Sequence, residues 1–336
     1  MTKFRLLIIS LLALAVLTGA DQGIEYLARR EPARLKIASI ENAPSDSTCI
    51  AIGNSLMDSG FNADAFDLRV QSGFCKGLNA ALGATTPAEH DVMLHAALDR
   101  IPRPKIVYYG WYDQQLTLPP RVGANDLIGN RNVGLLLDPD REIALTDMDW
   151  RTWILNKLLG RFALYVDRGQ AWGKIELLRR WLHDFGLPAA EGPPPDPFRA
   201  LEANSVPEFE ALLEKDLRDQ APLSRPVVDL LGLIQQSGAQ GVFVVMPMPE
   251  AHRSRFYGSP VWRRYLAYVG GLIAAGGGRL CDASDWIGDP ALFADSLHLN
   301  PAGAVEFSRR LAAATTGNDV RRGGAPSCSG LQSILR

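Results

Sequence analysis

Ser55, Asp295 and five histidines carry the side chains in this 336-residue chain that could perform nucleophilic catalysis. Ser55 follows the apolar run 49–53, which predicts a strand, so the serine is expected at the tip of that strand. A serine in that place acts either as a helix cap or as a nucleophile. A nucleophile needs a base within hydrogen-bond reach and an acid that orients the base. The histidines are the candidates for that base.

His298 has the local context that best suits a base. It lies in "ADSLHLNPAG", just before a predicted helix and three residues after Asp295. That spacing lets the carboxylate reach Nδ1, which fixes the tautomer and leaves Nε2 free to accept a proton. His252 follows a predicted strand and is interpreted as a residue that lines the ligand site. The remaining histidines fall in helical patterns or in the loop after the second strand, and are weaker candidates: His90, His95 and His183.

Strands and helices alternate along the chain, which predicts a parallel sheet with helices on both faces. Ligands bind such open sheets beyond the carboxyl ends of the strands, so the residues just after each strand form the candidate site. A helical insertion is predicted at about residues 120–222, between the third and fourth strands. Five strands are predicted, the second of them weak: 49–53, within 73–82, 105–110, 241–249 and 279–284.

Three sequence blocks, in order, resemble the SGNH (GDSL-like) hydrolase superfamily. "GNSLMDSG" resembles the nucleophile block, with Ser55 as nucleophile and Asn54 where the family often has Asp. "NAALGATT" resembles the second block, with Gly83 as the oxyanion glycine. "DSLHLNPAGAVEF" resembles the last block, with Asp295 and His298 as acid and base. The resemblance is carried by roughly residues 46–115 and 226–315. It implies a flavodoxin-like, three-layer α/β/α fold with a mainly parallel five-stranded sheet.

The third block departs from the family pattern G-x-N-D, in which the Asn side chain donates to the oxyanion. This chain reads "GWYD", with Tyr112 where Asn is expected. The Tyr112 hydroxyl, the Gln114 amide or a literal G-A-N-D at 123–126 are the alternatives for that donor. Substrate contacts are predicted for residues near the strand ends: Asn54, Asp113, Gln114 and His252.

The resemblance implies an exported serine acyl-ester hydrolase or O-acyltransferase, similar to membrane-anchored envelope proteins linked to polysaccharide acylation. Ser55 would attack the ester, and the Ser55 and Gly83 amides, with Tyr112, would hold the oxyanion. The expected substrate is an acylated small molecule or polysaccharide, with no cofactor and no metal. Because Tyr112 replaces the family Asn, the alternative is a catalytically weak or inactive envelope protein that serves as a scaffold or binding module.

Composition and missing motifs exclude several other classes. The net charge of −2 gives no electrostatic footprint for nucleic acid. The four cysteines have no CxxC spacing, which argues against a zinc site. The sequence has neither a G-x-G-x-x-G after a strand nor a Walker A lysine, so nucleotide binding is not indicated. Ser55 lacks the G-x-S-x-G surroundings of the other common serine-hydrolase fold.

The N-terminus predicts export. Lys3 and Arg5 precede the uncharged run 6–20, which has the length of a signal-peptide core, and "DQGIEYLARR" could extend a helix beyond it. We favour a membrane anchor within residues 1–30 over a cleaved signal. Both place the rest of the chain outside the cytoplasm, on the periplasmic side. Residues 316–336 lack periodicity and are expected to form a mobile tail.

Export permits disulfides, although the pairing of the four cysteines does not follow from the sequence. Cys49 and Cys75 are the first pair to test, because they lie near two candidate strands that are expected to be neighbours.

Overall fold

A computed structural model describes residues 2–28, 32–69, 75–117, 150–159, 162–166 and 206–315. The chain divides into two compact units, residues 1–38 with 122–191 and residues 39–121 with 192–336. The α-helices of at least four residues in the described ranges, numbered in chain order, are α1 Thr2–Ala28, α2 Pro32–Glu41, α3 Ser55–Gly60, α4 Ala63–Arg69, α5 Pro87–Arg100, α6 Trp150–Leu159, α7 Ala163–Val166, α8 Val206–Asp219, α9 Arg225–Gln236, α10 Pro260–Ala275 and α11 Pro301–Thr315. The strands are β1 Cys49–Gly53, β2 Gly77–Asn79, β3 Ile106–Trp111, β4 Gln240–Val245 and β5 Arg279–Asp282.

The first unit contains the apolar N-terminal helix. α1 runs without interruption through the apolar run and onward to Ala28, so the expected extension of the helix is present. Its stretch Leu7–Tyr26 spans 20 residues and is long and apolar enough to cross a membrane. Near its end, Asp21 accepts a hydrogen bond from the Leu164 N–H at 2.7 Å, at the start of α7. The helix fits either a signal anchor or a signal peptide.

The second unit is built on one parallel sheet. Its strand order is β2-β1-β3-β4-β5, and every neighbouring pair is parallel. Gly53 of β1 is aligned with Gly110 of β3, which is aligned with Val244 of β4. With helices on both sides, the sheet confirms the predicted three-layer α/β/α class.

Buried side chains explain why these segments form the central strands. Every residue of β1 and β3 is buried, as expected for parallel strands that are covered on both faces. α5 and α9 pack against each other, as do α4 and α11, and these pairs supply apolar cover for the sheet. β2 is short and lies at one edge, in agreement with its weak sequence signal.

The segment 58–71, interpreted from the sequence as a connection, contains the end of α3 and all of α4. Asn62 caps α4, because its Oδ1 accepts from the Ala65 N–H at 2.8 Å. Phe66 anchors the helix: its side chain is fully buried, and its ring centroid lies 5.2 Å from that of Phe61. The sequence signal for this helix consists of one apolar anchor, Phe66, and one capping residue, Asn62, which is too short a pattern to predict a helix.

A disulfide joins Cys49 at the start of β1 to Cys75, two residues before β2. This is the pair that the sequence placed first. The two cysteines are 26 residues apart in sequence, and closing a loop of that length stabilises a fold by about 3 kcal/mol. Cys281 in β5 is also disulfide-bonded.

The proposed insertion is described only in part. α6 and α7 belong to the first unit, whereas α8 belongs to the second and packs on α10. The remainder of the insertion, including 123–126, lies outside the described residues, as does the expected tail 316–336.

Candidate active site

Two glycines allow the helix that carries Ser55 to lie directly on the sheet. Gly53, with φ +145°, ends β1 in a conformation that favours glycine. A Cβ on Gly53 would lie 2.6 Å from the Gly110 carbonyl oxygen. A Cβ on Gly110 would lie 2.8 Å from the Met57 Cβ. Because neither position has a side chain, α3 packs on the carboxyl ends of β1 and β3, and Ser55 is its first residue.

Asn54 holds the start of α3 in place. Its Oδ1 accepts from the Leu56 N–H at 2.9 Å, which makes it the N-cap, and its Nδ2 donates to Gln115 Oε1 at 3.1 Å. Only 5% of Asn54 is exposed. We therefore reassign Asn54 from the predicted substrate contact to the positioning of Ser55. The sequence analysis did not single out Gln115, which joins the end of β3 to this cap.

A small hairpin before α11 presents Asp295 and His298. The Ala294 N–H donates to the His298 carbonyl oxygen at 2.8 Å, and Phe293 and Leu299 form an antiparallel bridge. Inside this turn, Asp295 Oδ1 accepts from the backbone N–H groups of Leu297 and His298, both at 2.8 Å. The carboxylate therefore closes the turn and also faces the imidazole.

Ser55, His298 and Asp295 form one continuous hydrogen-bonded chain. His298 Nε2 lies 2.8 Å from Ser55 Oγ, and His298 Nδ1 lies 2.8 Å from Asp295 Oδ2. Since a carboxylate only accepts, Nδ1 carries the proton and Nε2 accepts from the Ser55 hydroxyl. The His298 side chain is 31% exposed and that of Asp295 is 41% exposed, so the group is open to solvent. This geometry allows Ser55 to lose its proton to His298.

The charge of Asp295 is maintained by its hydrogen bonds. Partial burial acts to raise the pKa of Asp295, but the backbone N–H groups of His298 and Leu297 and the His298 side chain outweigh it. The net result is an Asp295 pKa below its ordinary value. The carboxylate therefore stays ionised beside the His298 ring.

Ser308 connects α3, which carries Ser55, to α11, the helix that begins just after His298. Its hydroxyl accepts from the Asn62 N–H at 2.8 Å and donates to the Gly60 carbonyl at 3.3 Å, at the end of α3. Ser308 is fully buried in α11, the helix that follows His298. The relative positions of α3 and α11 are thus fixed by a buried polar contact as well as by apolar packing.

Gly83 lies against Ser55, as the resemblance implies for an oxyanion glycine. The Leu82 N–H donates to the Gly53 carbonyl at 3.1 Å, which continues the β1–β2 contact beyond β2 and brings the next residue to the site. A Cβ on Gly83 would lie 3.6 Å from the Ser55 Cβ. A Cβ at position 83 would therefore make an ordinary contact with Ser55.

Tyr112 lies at the register position that the family resemblance assigns to a third oxyanion donor. It follows Gly110 by two residues, as Ser55 follows Gly53, and those two glycines are paired across β1 and β3. Burial, followed by the neighbouring Asp113 carboxylate, raises the pKa of Tyr112. The hydroxyl therefore stays protonated and remains a hydrogen-bond donor.

Asp113, His252 and Tyr257 form a second polar group beyond β3 and β4. Asp113 Oδ1 accepts from the Tyr257 hydroxyl at 2.7 Å and lies 3.2 Å from His252 Nε2. The Asp113 N–H donates to the Tyr257 oxygen at 3.2 Å, and Asp113 has φ +51°. Within the described ranges, the buried His252 Nδ1 has no hydrogen-bond partner. The structure thus brings together two of the predicted substrate-binding residues and adds Tyr257, which the sequence analysis missed.

Gln114 faces the other way, which corrects its predicted role. Its Nε2 donates to Asp216 Oδ2 at 2.5 Å and to the Leu212 carbonyl at 3.3 Å, both in α8. The same carboxylate oxygen accepts from Thr117 Oγ1 at 2.6 Å, and Thr117 lies 2.8 Å from the Tyr265 hydroxyl. Gln114 is therefore part of a buried polar network, with its amide donors occupied. It is neither a substrate contact nor a substitute oxyanion donor.

Comparisons with known proteins give only distant matches. No protein-family model matches the sequence, and no curated protein has a significant match to it. One similar solved structure is a Streptococcus pneumonia protein provisionally described as a platelet activating factor, with 11% identity and a TM-score of 0.32 over 91% of this chain and 97% of that one. Another is an Agrobacterium tumefaciens C58 protein provisionally described as an arylesterase, with 15% identity and a TM-score of 0.33 over 80% of this chain and 97% of that one. Values this low carry no inference about activity.

Proposed function

We propose that this protein is an exported serine acyl-ester hydrolase or O-acyltransferase of the SGNH type. The observation that carries the proposal is the hydrogen-bonded chain from Ser55 through His298 to Asp295, with 2.8 Å at each step. Ser55 and His298 are 243 residues apart in sequence. The fold brings them within the distance that a nucleophile and its general base require.

The proposed reaction has two proton-balanced halves. Ser55 Oγ attacks the acyl carbonyl carbon while His298 Nε2 takes the hydroxyl proton, and the resulting imidazolium is stabilised by Asp295. The ester C–O bond then breaks, and His298 returns the proton to the leaving alcohol. In the second half, water or an acceptor hydroxyl gives its proton to His298 and attacks the acyl carbonyl carbon. The bond from that carbon to Ser55 Oγ then breaks, and His298 returns the proton to Ser55.

The tetrahedral intermediate of each half carries a negative oxygen that needs donors. The Ser55 and Gly83 N–H groups are the proposed backbone donors, and the protonated Tyr112 hydroxyl is the proposed third. One such donor contributes on the order of 10²–10³ in rate, so replacement of the family Asn by Tyr112 bears directly on catalytic strength.

The proposed substrate is an ester on a small molecule or on a polysaccharide. Asp113 lies beyond β3 and His252 lies beyond β4, and both are the proposed contacts for its hydroxyl groups. Hydrolysis and transfer are separated by supplying p-nitrophenyl acetate with and without a simple sugar. If acetyl-sugar forms in competition with acetate, the enzyme is a transferase; acetate alone makes it a hydrolase.

The proposed location is the outer side of a cell membrane, with α1 as anchor. Two observations support it: α1 is long and apolar enough to span, and Cys49 and Cys75 form a disulfide, a bond that persists in oxidising compartments. A cleaved signal is the alternative. An intact N-terminus in the membrane fraction, resistant to alkaline extraction, would establish the anchor, whereas a mature form without α1 would establish cleavage.

The decisive test of activity is labelling with a fluorophosphonate, which forms a stable adduct on an activated serine. Wild type is expected to gain one adduct at Ser55, and Ser55→Ala is expected to gain none. Ser59→Ala is the matched control, because Ser59 lies in the same short helix with an exposed side chain. Absence of a Ser55-dependent adduct on folded wild-type protein would end the proposal.

A non-catalytic scaffold or binding module is the second candidate, and Tyr112 in place of the family Asn favours it. It predicts that Ser55→Ala and His298→Ala strains keep the cellular phenotype of the wild type. If either strain loses that phenotype at unchanged protein level, a pure scaffold is excluded.

A further inference from the structure

The loop that carries Gly83 is connected to a histidine in the protein interior. His90, in α5, is 1% exposed. Its Nε2 lies 2.9 Å from Thr85 Oγ1, and its Nδ1 lies 2.9 Å from the Tyr109 hydroxyl in β3. The Thr85 hydroxyl in turn donates to the Leu82 carbonyl oxygen. A line of hydrogen bonds thus runs from the centre of the sheet to the residue before Gly83.

The direction of every proton in this line is determined. Thr85 has one hydroxyl proton and gives it to Leu82, so Thr85 Oγ1 accepts from His90 Nε2–H. His90 Nδ1 must then accept from the Tyr109 hydroxyl. Burial lowers the pKa of His90 to about 3, so the imidazole is neutral at physiological pH and carries one proton, as this arrangement requires.

Fixing the Leu82 carbonyl also fixes the Gly83 N–H. Both groups belong to the same trans peptide, whose plane points the carbonyl and the N–H in opposite directions. The next residue, Ala84, has φ +57°, a conformation that costs a non-glycine residue free energy and needs support from its surroundings. The Thr85 hydroxyl closes this turn across Ala84 onto Leu82.

We propose that Tyr109, His90 and Thr85 are positioning residues that aim the Gly83 N–H at the oxyanion formed on the acyl group at Ser55. The inference rests on the proposed function and deepens it. The three residues act through the Leu82–Gly83 peptide, so they are not catalytic residues. The competing explanation is that the line only satisfies buried polar groups in the core.

Thr85→Val and Thr85→Ser form the matched pair that separates these explanations. Valine keeps the shape of threonine and removes the hydroxyl, whereas serine keeps the hydroxyl. The rate of Ser55 phosphonylation by a fluorophosphonate is expected to fall about 10- to 100-fold in Thr85→Val, below the loss of a whole oxyanion donor. Thr85→Ser is expected to stay within about threefold of wild type. Rates are expressed per folded molecule, using the unfolding transition of each variant.

The ratio of the rates on an oxygen ester and on its thiono ester is a measurement that does not depend on the stability of the core. The sulfur of the thiono ester is a poor hydrogen-bond acceptor, so an aimed N–H accelerates an oxygen ester more than the matching thiono ester. Wild type is expected to prefer the oxygen ester of a p-nitrophenyl pair, and Thr85→Val to lose most of that preference through kcat, with KM little changed. A variant that only disturbs packing would lower both rates alike.

Tyr109→Phe keeps the inference testable if Thr85→Val does not fold. It removes the donor at the far end of the line, and a loss of about two- to fivefold in oxygen preference is expected, smaller than for Thr85→Val. If the folded variants prefer the oxygen ester over the thiono ester as strongly as wild type does, and Ser55 is still labelled, the positioning role alone is overturned. No Ser55 adduct on wild type overturns the proposed function and the inference with it.

Discussion

Helix α5 and the loop before α11 each hold a histidine that is hydrogen-bonded at both ring nitrogens, yet the two histidines suit opposite tasks. His298 contacts a carboxylate and a hydroxyl, and its side chain is 31% exposed. His90 contacts two hydroxyls and is 1% exposed. Both nitrogens of each ring have a partner, and the difference lies in the charge of the partners and in the exposure of the ring to water.

This contrast shows what makes a histidine a base. At His298, the Asp295 carboxylate contacts one ring nitrogen and the other faces Ser55, which is the arrangement that the proposed base requires. At His90, burial alone lowers the pKa to about 3, so the ring stays neutral. Its proposed role is limited to holding Thr85, and through it the Leu82–Gly83 peptide, in place. Four predictions test the two regions that hold these histidines, from the largest expected effect to the smallest.

Removing the base should have the largest effect. His298→Gln is expected to lower the rate of Ser55 phosphonylation by at least about 10³-fold, because members of a triad act as a unit. The side chain is partly exposed, so thermal unfolding should change little. A stopped assay with intact-protein mass measurement gives the rate, and a loss below tenfold would contradict the assignment of His298 as base.

Adding a methyl group at the oxyanion loop should come next. Gly83→Ala places a Cβ 3.6 Å from the Ser55 Cβ, an ordinary contact, so the protein should fold while ester turnover falls by about tenfold or more. Gly53→Ala is the matched contrast. Its Cβ would lie 2.6 Å from the Gly110 oxygen at φ +145°, so about 2 kcal/mol or more of unfolding free energy should be lost. Equal destabilisation by both changes would refute this distinction.

The buried histidine should make the fold sensitive to acid. The pKa of His90 is about 3 in the folded protein against an ordinary 6.5, so the unfolded chain binds a proton at this position first. Stability is then lost as pH falls from about 6.5 towards 3, by about 2 kcal/mol at pH 5. Urea unfolding at pH 7 and pH 5 should show that His90→Gln loses about 2 kcal/mol less than wild type over this interval. Parallel losses in both proteins would mean that His90 is charged in the folded state.

The smallest effect on stability and activity is expected from changing Asn300, which caps α11 just after the hairpin that presents Asp295 and His298. Asn300 Oδ1 accepts from the Ala302 and Gly303 N–H groups, both at 3.0 Å, at the start of α11. Asn300→Ala should cost about 1 kcal/mol of unfolding free energy, whereas Asn300→Asp retains the cap acceptor and should cost less. The Asn300 amide nitrogen also donates to the Ala291 and Phe293 carbonyl oxygens, but the described hydrogen bonds of this side chain reach neither Asp295 nor His298. The phosphonylation rate should therefore stay within about threefold.

The sequence predicted much of this arrangement because its strongest signals are local. The five predicted strands fall on β1 to β5, and the helix predicted just after His298 is α11, which begins at Pro301. Asp295 and His298 are three residues apart, so their pairing needed only a turn. The order of blocks then placed Ser55, Gly83 and His298 near one another.

The directions of side chains beyond β3 did not follow from the sequence. Asp113 adopts φ +51°, and this backbone turn sends Gln114 into the buried network with Asp216 while Gln115 reaches Asn54. A period-two strand pattern does not report such a turn. His90 was undervalued for a related reason, since its partners, Thr85 and Tyr109, come from a loop and from a neighbouring strand.

The disulfide has a consequence for the integrity of the nucleophile in an environment that contains proteases. Cys49 and Cys75 are covalently joined, so the segment between them, with Ser55, α3 and α4, is a closed covalent ring. One backbone cut anywhere inside the ring leaves both new ends attached to the rest of the chain. Such a nicked protein would migrate as one species before reduction and as two after it.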